Sequence, residues 1–235
     1  MNPFSIVAAY VLIAILGSAY AATVSVYPGS SIQAAIYTAK SGDIIEVHRG
    51  IYYEHVSVNK RITLRGINMP ILDATASGSA ITLKTDGIIL QGFRTINSGL
   101  WPGDVSKEAG IKVLSNNNTI ENNNASNNSN GIFIIEGNNN TVTGNNASNN
   151  LGYGIMVSNS IGNIIFKNNF IRNYKQNAYD NGINRWNIGS FGNYYGNFSS
   201  IAEGCQDLGG NYVCDLSYPV PGGSSIDHYR SLQPF

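Results

Sequence analysis

The side chains that could carry acid–base, metal or sugar-stacking chemistry are few and widely spaced. Glycoside chemistry needs two carboxylates flanking one bond. Residues 110–173 contain Glu121 and Glu136 and no aspartate. Asp86 precedes Gly87 between two apolar runs, which reads as a turn. His48, His55 and His228 are scattered, as are Met69 and Met156. Aromatic residues outside the regular pattern are the better candidates. Tyr52, Tyr53, Trp101 and Trp186 lie in turns or irregular sequence, where an exposed ring can stack on a sugar. Tyr194 and Tyr195 read instead as a plug for the end of the core. The chemistry therefore points toward a non-catalytic role, structural or adhesive or in binding a polysaccharide or envelope glycan, with no cofactor. A carbohydrate-active enzyme is the alternative.

The elements that position these groups are written in a repeat. Asn116-Asn117-Asn118-Thr119 returns as Asn138-Asn139-Asn140-Thr141, a shift of 22 residues. Asn123-Asn124-Ala125-Ser126-Asn127-Asn128 returns unchanged from Asn145 to Asn150. A third copy, shifted by 23, carries Asn163, Asn168, Asn169 and Asn173. Fixed periods of this size mean stacked repeats. Short β-branched runs separate the asparagines, too short for helices. This predicts an all-β, right-handed parallel β-helix of coils stacked at about 4.8 Å. Ile120, Val142 and Ile165 should stack inside, and Asn123, Asn145 and Asn168 at exposed corners. Asparagine tolerates a left-handed bend and can ladder through its amide.

Further short strands are expected at 44–47, 55–58, 62–64, 81–83 and 88–90, with an interrupting loop at 97–109. Residues 23–50 should form a strand and a capping helix. Ser30-Ser31-Ile32-Gln33 reads as a capping box, and Ile32, Ala35, Ile36 and Ala39 share one face. Such a lid protects the open first coil. From 187 the repeat dissolves into a C-terminal cap, so 23–235 is one domain.

The first 22 residues hold no charged side chain, residues 4–16 are apolar but for Ser5, and Ala19-Tyr20-Ala21 follows. Residues 1–22 thus read as a signal peptide, predicting a secreted, cell-surface protein. Membrane attachment is expected only through an uncleaved leader. Lys+Arg equals Asp+Glu at 14 each, so nothing advertises nucleic-acid binding. Export makes Cys205 and Cys214, nine apart, a local disulfide. It also makes the Asn-x-Ser/Thr sequences at Asn117, Asn124, Asn127, Asn139, Asn146 and Asn197 glycosylation candidates.

Two stretches carry a resemblance. Val26-Tyr27-Pro28-Gly29-Ser30-Ser31-Ile32-Gln33-Ala34-Ala35-Ile36, with Gly42-Asp43-Ile44-Ile45-Glu46-Val47 and Gly50-Ile51-Tyr52-Tyr53-Glu54, resembles the opening of NosD-like proteins. These are right-handed β-helices of the pectin-lyase-like superfamily with CASH-type repeats, abundant on archaeal surfaces. Gly192-Asn193-Tyr194-Tyr195, Asp215-Leu216-Ser217-Tyr218, Pro221-Gly222-Gly223 and Ile226-Asp227-His228-Tyr229 resemble the family's tail. The resemblance implies the fold. It also implies polysaccharide lyase or hydrolase activity, for which no Gly-His-Gly or Arg-Ile-Lys motif is present. Copper binding is a third implication, against which the scattered His and Met count. Many relatives carry a calcium loop in the tail, and here only Asp207 and Asp215 remain as weak calcium candidates.

Overall fold

In a computed structural model, residues 21–99, 108–198 and 200–235 are described. They form a parallel β-solenoid of about seven turns with one short α-helix. Three parallel sheets make its walls, and each complete coil contributes a strand to each wall in turn, the first and last coils being partial. The first sheet runs through eight strands from Thr23–Val26 to Ile183–Arg185. The second runs through six, from Val56–Val58 to Gln176–Asp180. The third runs through seven, from Ile51–Tyr52 to Tyr194–Tyr195.

The register follows the 22-residue period. Ile120 pairs with Leu90 on one side and Val142 on the other, and Val142 with Ile165. All four are fully buried. Identical spacing puts like residues one above another, so each apolar residue seals the one beneath. The third sheet's interior column is Tyr52, Leu72, Thr95, Ala125, Ala147, Phe170, Tyr195. Its small residues sit mid-stack, and its aromatic ones close both ends. Tyr195 packs on Phe170 and Tyr218 as the expected plug. Tyr194, expected to share that role, pairs with Asn169 and is only half-buried, because neighbouring strand residues point to opposite faces.

The lid is helix α1 (Ile32–Thr38), with Ile32 and Ile36 fully buried. Its cap differs from the expected box. Ser31, not Ser30, is the N-cap and accepts from the Ala34 amide. Gln33 turns away: its amide exchanges two hydrogen bonds with the Ser57 backbone, at 2.7 and 3.2 Å. It thereby pairs the open edge of strand Val56–Val58. Glu54 completes the cap, accepting from the Ile32 and Gln33 amides and from Ser31 Oγ. A carboxylate at those orphan N–H groups satisfies them and complements the positive helix end.

At the other end, the third sheet extends to Tyr194–Tyr195, past residue 187 where the sequence period fades. Beyond it, Tyr218–Pro219 and Ile226–Asp227 form an antiparallel pair. Cys205 and Cys214 are disulfide-bonded, with Cα atoms 5.1 Å apart. Closing so short a ring is worth about 2–3 kcal/mol. Cys205→Ser should therefore lower the Tm by roughly 5–10 °C, read by circular dichroism against a reduced wild-type control. An unchanged Tm would show that the ring holds nothing together.

Candidate functional site

At each corner a residue in a left-handed bend precedes a buried asparagine, and the bend is an asparagine in five corners and Gly144, Gly162 or Lys167 in others. The bending asparagines, Asn117, Asn122, Asn127, Asn139 and Asn149, all have φ between 55° and 61°. The asparagine after the bend turns inward and is buried. Asn118, Asn123, Asn128, Asn140, Asn145, Asn150, Asn163 and Asn168 are each at most 2% exposed. The expectation that the corner asparagines Asn123, Asn145 and Asn168 are exposed is corrected here. An amide whose donors and acceptor are all bonded is tolerated in a core.

These inner residues form three ladders with one polarity. Each rung donates its backbone N–H, and generally its Nδ2, to the Oδ1 of the asparagine one coil on. Asn118 leads through Asn140 and Asn163 to Asn184. Asn123 leads through Asn145 and Asn168 to Asn193. Asn128 leads through Asn150 and Asn173 to Asn177. Such a ladder ends with unanswered donors at its C-terminal side. Two ladders end on acceptor-only carboxylates. Asn184 Nδ2 donates to Asp180 at 2.9 Å, and Asn193 donates its N–H and Nδ2 to Asp227 at 2.8 and 3.1 Å.

The third ladder ends differently. Asn177 donates to Asn197, an exposed amide, and both line a cleft of about 550 Å³ between the last coil and the tail. Its walls include Tyr174, Phe198 and Tyr218. Tyr174 is 87% exposed, which leaves its ring available for stacking. Arg230 forms another wall, 2% exposed, with its guanidinium over the Phe198 ring at 5.5 Å. It donates to the Gly204 carbonyl, and its Nε is buried without a partner. Lys175 and Glu203 also line the cleft, Glu203 as its one carboxylate among the described residues.

Behind this wall lies a buried polar cluster. Asp227 accepts from the Asn193 and Tyr229 amides, Asn193 Nδ2 and the Tyr195 hydroxyl. Burial pushes its carboxyl up to about 6, against the pull of those donors. Burial likewise pushes the Tyr218 phenol up to about 12, with Arg230 opposing, and holds the Tyr195 phenol well above its ordinary value, with the Asp227 charge adding to the effect. Arg230 is drawn below its ordinary value by burial, with Asp227 opposing.

The aromatic residues singled out from the sequence separate. Tyr52 is 3% exposed and its hydroxyl donates to the Val26 and His48 carbonyls. Trp186 is fully buried, with Nε1 on Asp180 at 2.8 Å. Neither ring face can meet a sugar, so both are corrected to core residues. They close the ends of the apolar stack, where large rings seal coils that have no further neighbour. Tyr53 remains exposed, and Trp101 lies outside the described residues. Tyr174, Phe198, Arg230 and the two terminating aspartates were missed. Asp227 sits in the quoted tail pattern, yet nothing in its neighbours' spacing points to Asn193, 34 residues earlier.

The donors for a metal do not converge. His48 stacks on Tyr27 at 4.2 Å. His55 bonds to the Ser79 carbonyl and Ser77 Oγ, and His228 to Ser217 Oγ. Among the described residues no three His, Cys, Asp or Glu side chains are placed to hold a metal ion. Asp207 accepts from the Asn211 and Tyr212 amides, and Asp215 from Leu208. Those oxygens brace the disulfide loop, and among the described residues no third acidic side chain joins them. Asp86 accepts from Asn116, in keeping with its turn. Glu121 is met by Gln91, which also bridges to Arg65 and so to Glu46.

A family model described as periplasmic copper-binding protein (NosD) matches residues 21–200. No curated protein and no solved structure gives a significant match.

Proposed function

This chain belongs to the NosD family of β-helix proteins, and from that premise we propose that it is an exported envelope protein that binds a glycan without turning it over. The observation that carries this reading is the open end of the third ladder. Asn197 brings the ladder's last amide into a cleft walled by Tyr174, Phe198 and Tyr218. Aromatic faces for stacking beside a few amide groups for hydroxyls are the makings of a sugar site. One carboxylate in the cleft wall leaves no acid–base pair of the kind glycosidases use.

The family's description favours copper as a second reading. The described side chains do not supply it: the histidines are held apart by separate partners, and the cysteines are bonded to each other. Met69 and Met156 lie on a left-handed bend and on the second sheet respectively.

The test is retention on a panel of immobilised polysaccharides, with product analysis in parallel. Retention without product is expected. Tyr174→Ala should weaken binding about tenfold, or about 1.4 kcal/mol. Loss of retention in Trp101→Ala or Tyr53→Ala instead would move the site. Release of oligosaccharides would overturn the non-catalytic reading. Stoichiometric copper uptake by the purified protein would establish the second one.

A further inference from the structure

The six Asn-x-Ser/Thr sequences cease to be equivalent once the coils form. Asn124 and Asn146 pair in register on the third sheet, and the Oδ1 of each is buried without a partner. Asn127 is exposed, but Ser129, the hydroxyl its sequence needs, is 1% exposed. Asn117 and Asn139 differ from these. Both are exposed at left-handed bends, with φ of 56° and 55°. Their hydroxyl partners Thr119 and Thr141 stand in register on the first sheet, neither of them buried. Neither amide is a ladder rung, since the rungs here are Asn118 and Asn140. A sugar on either would leave the buried hydrogen bonds intact.

The two asparagines also occupy successive coils on one edge. The Asn117 N–H donates to the Asn138 carbonyl at 3.0 Å. Coils stack at about 4.8 Å, too close for two branched sugar chains rooted side by side. The Asn139 side chain already leans across the gap: a Cβ on Gly162 would sit 2.5 Å from its Oδ1.

We propose that the edge formed by Asn117 and Asn139 is the glycan-attachment site of the repeat, and that it carries one N-linked chain, never two. The donor is an oligosaccharide on a lipid phosphate or pyrophosphate. The asparagine Nδ2 forms a bond to the anomeric carbon as that carbon's bond to the phosphate oxygen breaks. The amide loses one proton, and the lipid phosphate leaves. Selection by the folded coil follows from solenoid folding, in which each coil needs only its neighbour to form. The inference rests on the exported location proposed above.

The test uses the full chain expressed in a eukaryotic secretory host. Cell fractionation reports export separately, so a failure of location is distinguished from a failure of attachment. Intact mass and glycopeptide mapping of the secreted protein should show one chain in this repeat, divided between Asn117 and Asn139. Asn117→Gln and Asn139→Gln should each keep it, the remaining asparagine taking the whole occupancy. The double variant should lose it while keeping its circular dichroism spectrum. A secreted protein bare at both positions would overturn the proposal. So would both positions occupied in one molecule, or occupancy at Asn124, Asn127 or Asn146.

Discussion

Asn145→Ala is expected to destabilise the protein by about 3–5 kcal/mol in equilibrium denaturation. Asn145 is the middle of the second ladder and is fully buried. Its Oδ1 takes both the N–H and the Nδ2 of Asn123, each at 3.0 Å. Its Nδ2 reaches the Ile120 and Thr143 carbonyls and the Asn168 Oδ1. Alanine strands donors above and acceptors below, where water cannot replace them. The neighbouring bend is the control. Asn122, Gly144 and Lys167 occupy successive coils, one residue before ladder rungs, and all have positive φ. That column already accepts three residue types, glycine among them, so Asn122→Gly should change stability by no more than about 0.5 kcal/mol. Equal effects at the two sites would remove the distinction between bend and rung.

The second large effect is expected at the ladder's end. Asp227→Ala should cost a further 3–5 kcal/mol or so, because four donors converge on that carboxyl in a buried site. Loosening of the tail should appear as early exposure of Trp186, followed by fluorescence in a Trp101→Phe background. The same residue sets a pH dependence. Its folded-state value is about 6 against an ordinary 3.8. The native protein therefore holds a proton there, between pH 4 and 6, that the unfolded chain has released. Stability from this group is complete below about pH 4 and falls as pH rises through 6. The loss is up to about 3 kcal/mol. Asp227→Asn should flatten that slope while keeping an acceptor oxygen. An Asp227→Asn protein with the wild-type slope would assign the proton elsewhere.

These two residues state one rule. An amide ladder of fixed polarity concentrates unanswered N–H groups at one end, much as a helix does at its N-terminus. Asp180 and Asp227 answer two of the three ladders. The third is left open at Asn197, and the tail builds its cleft there. The cleft proposed to take a glycan is thus the place where the chain's own hydrogen bonding is unfinished.

Much of the architecture was legible before any coordinates. A shift of 22 residues brings Ile120 over Val142, because a coil that repeats in sequence must repeat in space. The alternation of apolar and amide positions in that period marks the wall and the core. The capping helix, the Cys205–Cys214 bond and the Tyr195 plug were readable for the same reason: each depends on residues close in sequence or on a repeated spacing. Glu54 as a helix cap and Gln33 as an edge partner were not. Each acts on residues more than 20 positions away, outside any period.

The site was far less legible. Sequence marks Tyr52 and Trp186 as aromatic residues in irregular stretches, but cannot say which way a ring points. The fold turned both inward because the ends of an apolar stack need large side chains to seal them. By itself, then, the amino-acid sequence determined the solenoid, its register and its coil length, since these follow from local periodicity. Only the tertiary structure decided which asparagines are bends and which are buried rungs. It alone showed that two ladders stop on carboxylates and that a third opens into a cleft. Those outcomes depend on a non-repeating tail folding back on the last coil, and no spacing in the chain encodes that contact.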